Sequence, residues 1–283
     1  MTDGGVGWRF LHSKRWIGYF ALLLIFSVAC VWLGNWQFDR RAQARAEIER
    51  IDNNYDAEPR PLSELLPDPA SFDEDSLKWH PVELRGTYGD ETFLARNRPG
   101  AAGVGSDLIH AFHTTDGAVF FIDRGWVPVA GADPVPNNLP QPPSGEVTVI
   151  ARLRAGEPQL DGRTTAGNSV ASIDLPELAQ LSASSGVVYT GAYGQLVSEQ
   201  PPGETGVLPP RPERDEGPHL SYALQWYVFI LIAAIGVAYA ARQEYRNLNA
   251  GNDSVLREDE RRARRKRRRG PTDAEEEDAL LDG

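Results

Sequence analysis

The sequence predicts a membrane protein of the α+β class: two transmembrane helices flanking an antiparallel β-rich domain, a sheet or small barrel. Three observations predict it. Two uncharged runs are membrane-long, WIGYFALLLIFSVACVWLGNW from Trp16 to Trp36 and a second from Gly217 to Ala241. Between them lie runs rich in Val, Thr, Phe and Tyr, separated by Gly, Pro, Asn and Asp turns. Basic residues flank the two runs, densest in RRARRKRRR at 261–269.

The first run, as a helix rising 1.5 Å per residue, spans about 31 Å, the thickness of a bilayer's hydrocarbon core. Ser27-Val28-Ala29-Cys30 resembles a lipoprotein cleavage box, but the apolar run continues past Cys30 through VWLGNW, so a retained anchor is expected. Residues 38–52 (FDRRAQARAEIERID) read as a helix continuing out of the membrane, with Arg45 and Glu49 paired at i,i+4. Residues 53–78, rich in Pro, Asp and Glu, hold a short helix or a loop. Six strands are expected at 82–88, 92–97, 107–114, 118–126, 146–154 and 187–197, with Pro-rich connectors at 133–143 and 200–212. The second apolar run, closed by Trp and Tyr at its mouth, is the second span.

Positive charge marks the cytoplasmic side. Arg9, Lys14 and Arg15 precede the first run, and Arg242, Arg246, Arg257 and the 261–269 cluster follow the second. Both termini (1–15 and 242–283) are therefore expected in the cytoplasm, and residues 37–216 outside it, in a two-span protein of the cell membrane. Arg40, Arg41, Arg45 and Arg50 oppose this, but a segment of 180 residues translocates largely regardless of local charge. The tail pairs its basic block with DAEEEDALLDG and reads as a solvated, disordered end whose halves attract; anionic-lipid contact is the alternative. No nucleic-acid partner is expected.

Cys30 is the only cysteine and Met1 the only methionine, which excludes a disulfide framework, a CxxC site and the soft sulfur set of a copper(I) carrier. PGAAGVGSD (99–107) reads as a loop, since a strand-like run and not a helix follows it. His110 and His113 fall on opposite faces of a strand, which disfavours a metal site. Asp123 and Arg124 read as a buried pair fixing a turn, with Gly125 admitting close backbone approach. No nucleophile is spaced with a base, so hydrolase chemistry is not expected.

The mouth of the second span, GPHLSYALQWY (217–227), is where chemistry gathers. At 100° per residue, His219, Ala223, Trp226 and Ile230 share a face, Tyr222 sits at its edge, and Ser221 and Gln225 lie roughly opposite. In an antiparallel helix pair this mouth meets Asn35, Trp36 and Gln37 at the same depth, and Gly236 and Ala240 allow close packing further along. Two readings stay open. The polar and aromatic residues are an interfacial belt, or His219 is a neutral imidazole able to ligate a haem iron whose macrocycle lies in lipid.

LGNWQFDRR (33–41), LARNRPGAAGVG (94–105) with DRGWVP (123–128), and PHLSYALQWYVF (218–229) together resemble the Surfeit locus protein 1 family of cytochrome c oxidase assembly factors, over about residues 16–246. The resemblance implies help in delivering or retaining haem a while the catalytic subunit of an aa3-type oxidase is built, with that subunit and haem a synthase as partners. It implies His219 as candidate ligand of the haem a iron. Tyr222, Gln225, Trp226, Trp36, Gln37 and Arg40 would support the site, Arg40 by pairing a propionate. The family's Trp-Lys pair after that arginine is replaced here by Gln43 and Ala44. A stably bound structural accessory subunit of the oxidase, with His219 merely packing, is the rival expectation.

Overall fold

The computed structural model describes residues 7–100, 103–128, 139–160, 162–163, 165–182 and 186–269. The chain forms two compact units, one from residues 1–43 and 217–283 and the other from residues 44–216. Each is described by itself.

The first unit is built on two long helices. Helix α1 (Lys14–Asn54) is one unbroken element of 41 residues, about 61 Å long, so the expected continuation beyond the first apolar run is present. Its last eleven residues belong to the second unit. Three further short or moderate helices come later in the chain: α2 (Leu62–Leu65), α3 (Glu74–Leu77) and α4 (Leu175–Leu181). Helix α5 (His219–Leu248) carries the second apolar run. Both α1 and α5 are long and apolar enough to cross a membrane. Their outward faces carry exposed Leu22, Leu24, Ile25, Leu231, Ile232 and Ile235. At one end of the pair, Phe10, Trp16 and Ala241 form a small core, the Trp16 indole donates to Glu244 at 3.1 Å, and Arg15 also pairs with Glu244.

The tail differs from its reading as a disordered end. After Leu248 a turn leads into helix α6 (Asp253–Arg269), and the basic block lies on it. Arg, Lys and Glu are good helix formers, and that propensity outweighs like-charge repulsion along the helix. The acidic block at 273–283 lies outside the described residues, as do 133–138 of the first Pro-rich connector.

The second unit is a closed barrel. Its main strands are β2 (Pro81–Gly100), β3 (Gly103–Thr114), β4 (Ala118–Pro128), β5 (Val147–Ala155) and β8 (Ala192–Gln200). Three two-residue strands pair locally with it: β1 (Arg60–Pro61) and β6 (Ser169–Val170) with β2, and β7 (Val187–Val188) with β4. The main order is β2-β3-β4-β8-β5, and β5 returns to pair with β2, which closes the ring. All main pairings are antiparallel except the short parallel one of β4 with β8. Such closure removes the free edges that an open sheet would expose.

Two expected strands, 82–88 and 92–97, are one strand of 20 residues that serves both neighbours. Pro81–Gly86 pair with β5 and Gly86–Gly100 with β3, so the strand turns a corner at Gly86. A Cβ there would stand 1.9 Å from the His113 carbonyl oxygen, so only glycine lets the sheet close at this point. The expected strand at 187–197 is divided instead into β7 and β8. Helix α4 had no sequence-based expectation; Asp174 caps it by accepting from the Glu177 N–H at 2.7 Å.

Because β4 is buried on both faces, alternate residues feed two cores. Phe112, Phe120, Ile122, Val149 and Leu153 fill one, while Ile109, Phe121, Tyr193 and the α4 leucines Leu175 and Leu178 fill the other. The end of α1 that belongs to this unit is fastened by Ile51, Tyr55 and Trp79, with the Trp79 indole donating to Glu47 at 2.8 Å.

Candidate functional site

The polar mouth of the helix pair assembles much as the 100° periodicity implies. His219, Trp226 and Ile230 are half-buried and Ala223 fully buried, so that face of α5 turns inward, whereas Ser221 and Gln225 are exposed. Against it α1 presents Gly34, which is buried. The depth match also holds. His219 Nδ1 lies 2.9 Å from Gln37 Oε1, and the Tyr227 hydroxyl donates to Asn35 Oδ1 at 3.1 Å.

These two bonds cross between α1 and α5, their partners about half a turn apart on α1 and a little over two turns apart on α5. Gly34 makes room for the Tyr227 ring, since a Cβ there would come to 3.0 Å of Tyr227 Cε2. With the Gln37 carbonyl oxygen facing Nδ1, a neutral imidazole held by this bond donates from Nδ1 and leaves the Nε2 lone pair free. That is the tautomer a metal-ligating histidine needs, with a second group fixing the ring's orientation.

The other expected site residues are placed less closely. Trp226 packs edge-to-face on Phe229, with centroids 5.7 Å apart. Trp36 and Tyr222 are exposed, offering flat apolar surface beside the His219–Gln37 bond. Gln225 is exposed and joins no hydrogen bond to α1 among the described residues. Arg40 is exposed and donates to Gln43 at 3.0 Å, so its guanidinium remains on its own helix. Sequence reasoning passed over Tyr227, whose signal was its place four residues after Ala223, at the edge of the inward face of α5.

Gly236 and Ala240 do not produce the expected close packing. A Cβ on Gly236 would meet nothing within 4 Å. The helices instead leave an apolar groove of about 540 Å³ there, lined by Trp16, Tyr19, Phe26, Ala233, Gly236 and Ala240 among others.

The barrel holds a second concentration of polar groups, and it corrects the expectation for Asp123 and Arg124. Adjacent residues on a strand point to opposite faces, so the two do not pair. Arg124, wholly buried, binds Glu199 at 2.5 Å, and the Tyr88 hydroxyl donates to the same carboxylate at 2.7 Å. Asp123 accepts from the Gly125 N–H at 2.9 Å. Burial, reinforced by the nearby Asp107 carboxylate, pushes Asp123 up to about 7. Burial and then the Arg124 charge push His110 down to about 3, and burial with Glu199 raises Tyr88 well above the usual phenol range.

On the other side, Arg98 bridges Asp107 at 3.1 Å and Glu157 at 2.5 Å. Burial works against the Glu157 carboxylate, but hydrogen bonds from Arg98 and the Ile173 N–H keep it below its ordinary pKa.

PGAAGVGSD is less a loop than the end of the β2–β3 hairpin, with residues 101–102 outside the described ones. The Trp126 ring covers it, leaving no room for a Cβ on Gly100 or Gly105, and donates from Nε1 to the Arg98 carbonyl at 3.0 Å. This brings LARNRPGAAGVG and DRGWVP together in space. His110 is buried and His113 half-exposed, on opposite faces as expected. Among the described residues no group of three His, Cys, Asp or Glu side chains could hold a metal ion.

A helix pair with a histidine-bearing polar mouth and a closed β-barrel, joined in one chain, define the class; comparison with known proteins gives the family. The SURF1 family model matches residues 24–231. A SURF1-like protein of Mycobacterium tuberculosis is 34% identical over 244 residues, covering 84% of this chain and 87% of that one. Surfeit locus protein 1 of Xenopus tropicalis is 26% identical over 226 residues, covering 73% of this chain and 70% of its own. The human protein of the same name is also 26% identical, covering 73% and 72%. The chain belongs to the SURF1 family.

Proposed function

We propose that this chain is a membrane-anchored assembly factor for an aa3-type cytochrome c oxidase, and that it holds haem a as cargo while the oxidase's catalytic subunit matures. The chain lies in the cell membrane on α1 and α5, with both termini cytoplasmic and the barrel on the opposite side. Its partners are the catalytic subunit, haem a synthase and the surrounding lipid. It performs no chemical conversion.

The observation that carries this reading is the contact of His219 Nδ1 with Gln37 Oε1 at 2.9 Å. It fixes the ring and leaves Nε2 as a ligand nitrogen at the mouth of the helix pair. A ferric or ferrous haem iron would take that nitrogen as one axial ligand. Trp36, Tyr222 and Trp226 supply flat apolar and aromatic surface beside it. Arg40, exposed and one turn beyond Trp36, offers a planar fork to a carboxylate once it exchanges its bond to Gln43. One histidine and exposed walls make a site that both takes and releases its cargo. The sulfur-poor composition speaks against copper as that cargo.

The test is the reduced-minus-oxidised difference spectrum of membranes from a strain lacking the protein, complemented with wild type or His219→Ala. Loss of the haem a band on deletion, restored by wild type and not by His219→Ala, is the expected result. Restoration by both would make His219 a packing residue and favour a structural accessory subunit. No change on deletion, in cells that need the oxidase, would remove the assembly role altogether.

A further inference from the structure

The cytoplasm-facing end of α5 carries a feature that the family match does not reach, since the match ends at residue 231. Arg242, Arg257, Glu258, Arg261, Arg262 and Arg265 line a cleft of about 700 Å³ between the last turns of α5 and helix α6. Five of the six groups are guanidiniums. The single carboxylate, Glu258, is engaged by Arg242 and lies 3.6 Å from Arg262. Arg257, Arg261 and Arg265 make no ion pair among the described residues, and their spacing stacks them along one side of α6.

Like charges four apart on a helix repel one another, so although helix propensity outweighs that cost, an anion seated on this row would relieve it. We propose that the cleft is a binding site for the headgroup of an anionic phospholipid in the leaflet where α5 ends, and that the bound lipid holds α6 along the membrane surface. The inference rests on α5 being a membrane span and not on any role for haem.

Three features select this ligand. Arg242 is the first charge after the uncharged run that ends at Ala241, which sets the cleft at headgroup depth. Guanidinium forks match the paired oxygens of a phosphodiester. A cluster of this size just cytoplasmic of a span is the arrangement that anionic leaflets attract. Nucleic acid is disfavoured by chemistry, because DSVLREDERRARRKRRR offers no aromatic ring for a base to stack on. A free phosphate ion is small for so open a space.

The test uses the full chain in neutral detergent, titrated calorimetrically with short-chain phosphatidylglycerol and with short-chain phosphatidylcholine. The expected result is binding of the anionic lipid alone. Arg261→Gln and Arg265→Gln each weaken it about fivefold, while Arg264→Gln, on the same helix but outside the cleft, has less than half that effect. Glutamine keeps helix propensity, and unchanged far-UV circular dichroism shows that α6 persists. Equal binding of both lipids overturns the proposal, as does an equal loss from Arg264→Gln, which would mean diffuse attraction without a site. Inorganic phosphate or a single-stranded oligonucleotide binding as tightly as the lipid also overturns it. So does a need to remove residues 273–283 before any lipid binds, since the acidic block would then be the occupant.

Discussion

Asp123 and His110 lie in the same barrel with pKa values displaced in opposite senses, and the two displacements give opposite slopes of stability against pH. Asp123 is near 3.8 when unfolded and about 7 when folded. Across that window the folded state keeps a proton that the unfolded state has lost, so stability is lost as pH rises. His110 is near 6.5 unfolded and about 3 folded. Across its window the unfolded state takes a proton that the folded state refuses, so stability is gained as pH rises. Each slope is roughly 1.4 kcal/mol per pH unit. Between 3.8 and 6.5 the windows overlap and the slopes cancel.

Substitution should uncover each slope in turn. Asp123→Asn keeps an oxygen for the Gly125 N–H and removes the titration, so its stability relative to wild type should climb with pH from about 4 to about 7. His110→Gln should show the reverse, falling relative to wild type from about pH 3 to about pH 6.5. Denaturant unfolding of the full chain in neutral detergent, followed by near-UV circular dichroism of the barrel aromatics, reads both. A difference between Asp123→Asn and wild type that stays constant across the whole range would refute the argument.

Glu199→Gln should destabilise the barrel by about 3–5 kcal/mol, because it leaves the wholly buried Arg124 charge without its counter-ion. Replacing both partners by methionine should restore most of that loss in the same unfolding experiment; failure to do so would mean the Tyr88 bond to Glu199, not the charge, dominates. At the helix mouth, Gly34→Val should displace the Tyr227 ring and break its bond to Asn35, costing about 1–3 kcal/mol. A thermal midpoint in detergent unchanged by that substitution would show the two helices to be held elsewhere.

The helix pair was legible because both of its signals are local. An uncharged run of bilayer length needs no partner to be recognised, and the 100° repeat placed His219, Ala223 and Trp226 on the face that turns inward. The strands were legible from composition, but not their connection. Nothing between Tyr88 and Thr92 says that a bulge rather than a turn lies there, so β2 read as two strands. Arg124 was misassigned to Asp123 because they are neighbours, whereas its partner Glu199 is 75 residues away and reached only through the β4–β8 pairing. Helix α4 did carry a signature, Asp174 followed by proline and Glu177, but seven residues with two buried leucines give too short a period to stand out. Trp79, at φ 72°, takes a backbone conformation that no sequence rule assigns to tryptophan, and the Glu47 bond and the Arg154 guanidinium 4.2 Å away hold it there.

The two units differ in how completely their interactions are closed, and the difference suits the role proposed. In the barrel the ring of strands has no free end, both faces of β4 are buried, and a charged pair is sealed inside. Such a structure keeps its shape because each local change breaks several contacts at once. The helix pair is joined by a few specific contacts, the Arg15 and Trp16 bonds to Glu244 at one end and two polar bonds at the other, with an apolar groove left open along its length. A site that had to hold its ligand permanently would enclose it with several ligating groups. A site that has to pass a large apolar cargo onward needs one ligand, fixed in orientation by a second residue, and walls that face lipid. The His219–Gln37 bond and the exposed rings of Trp36 and Tyr222 are the features on which the proposed carrier role rests.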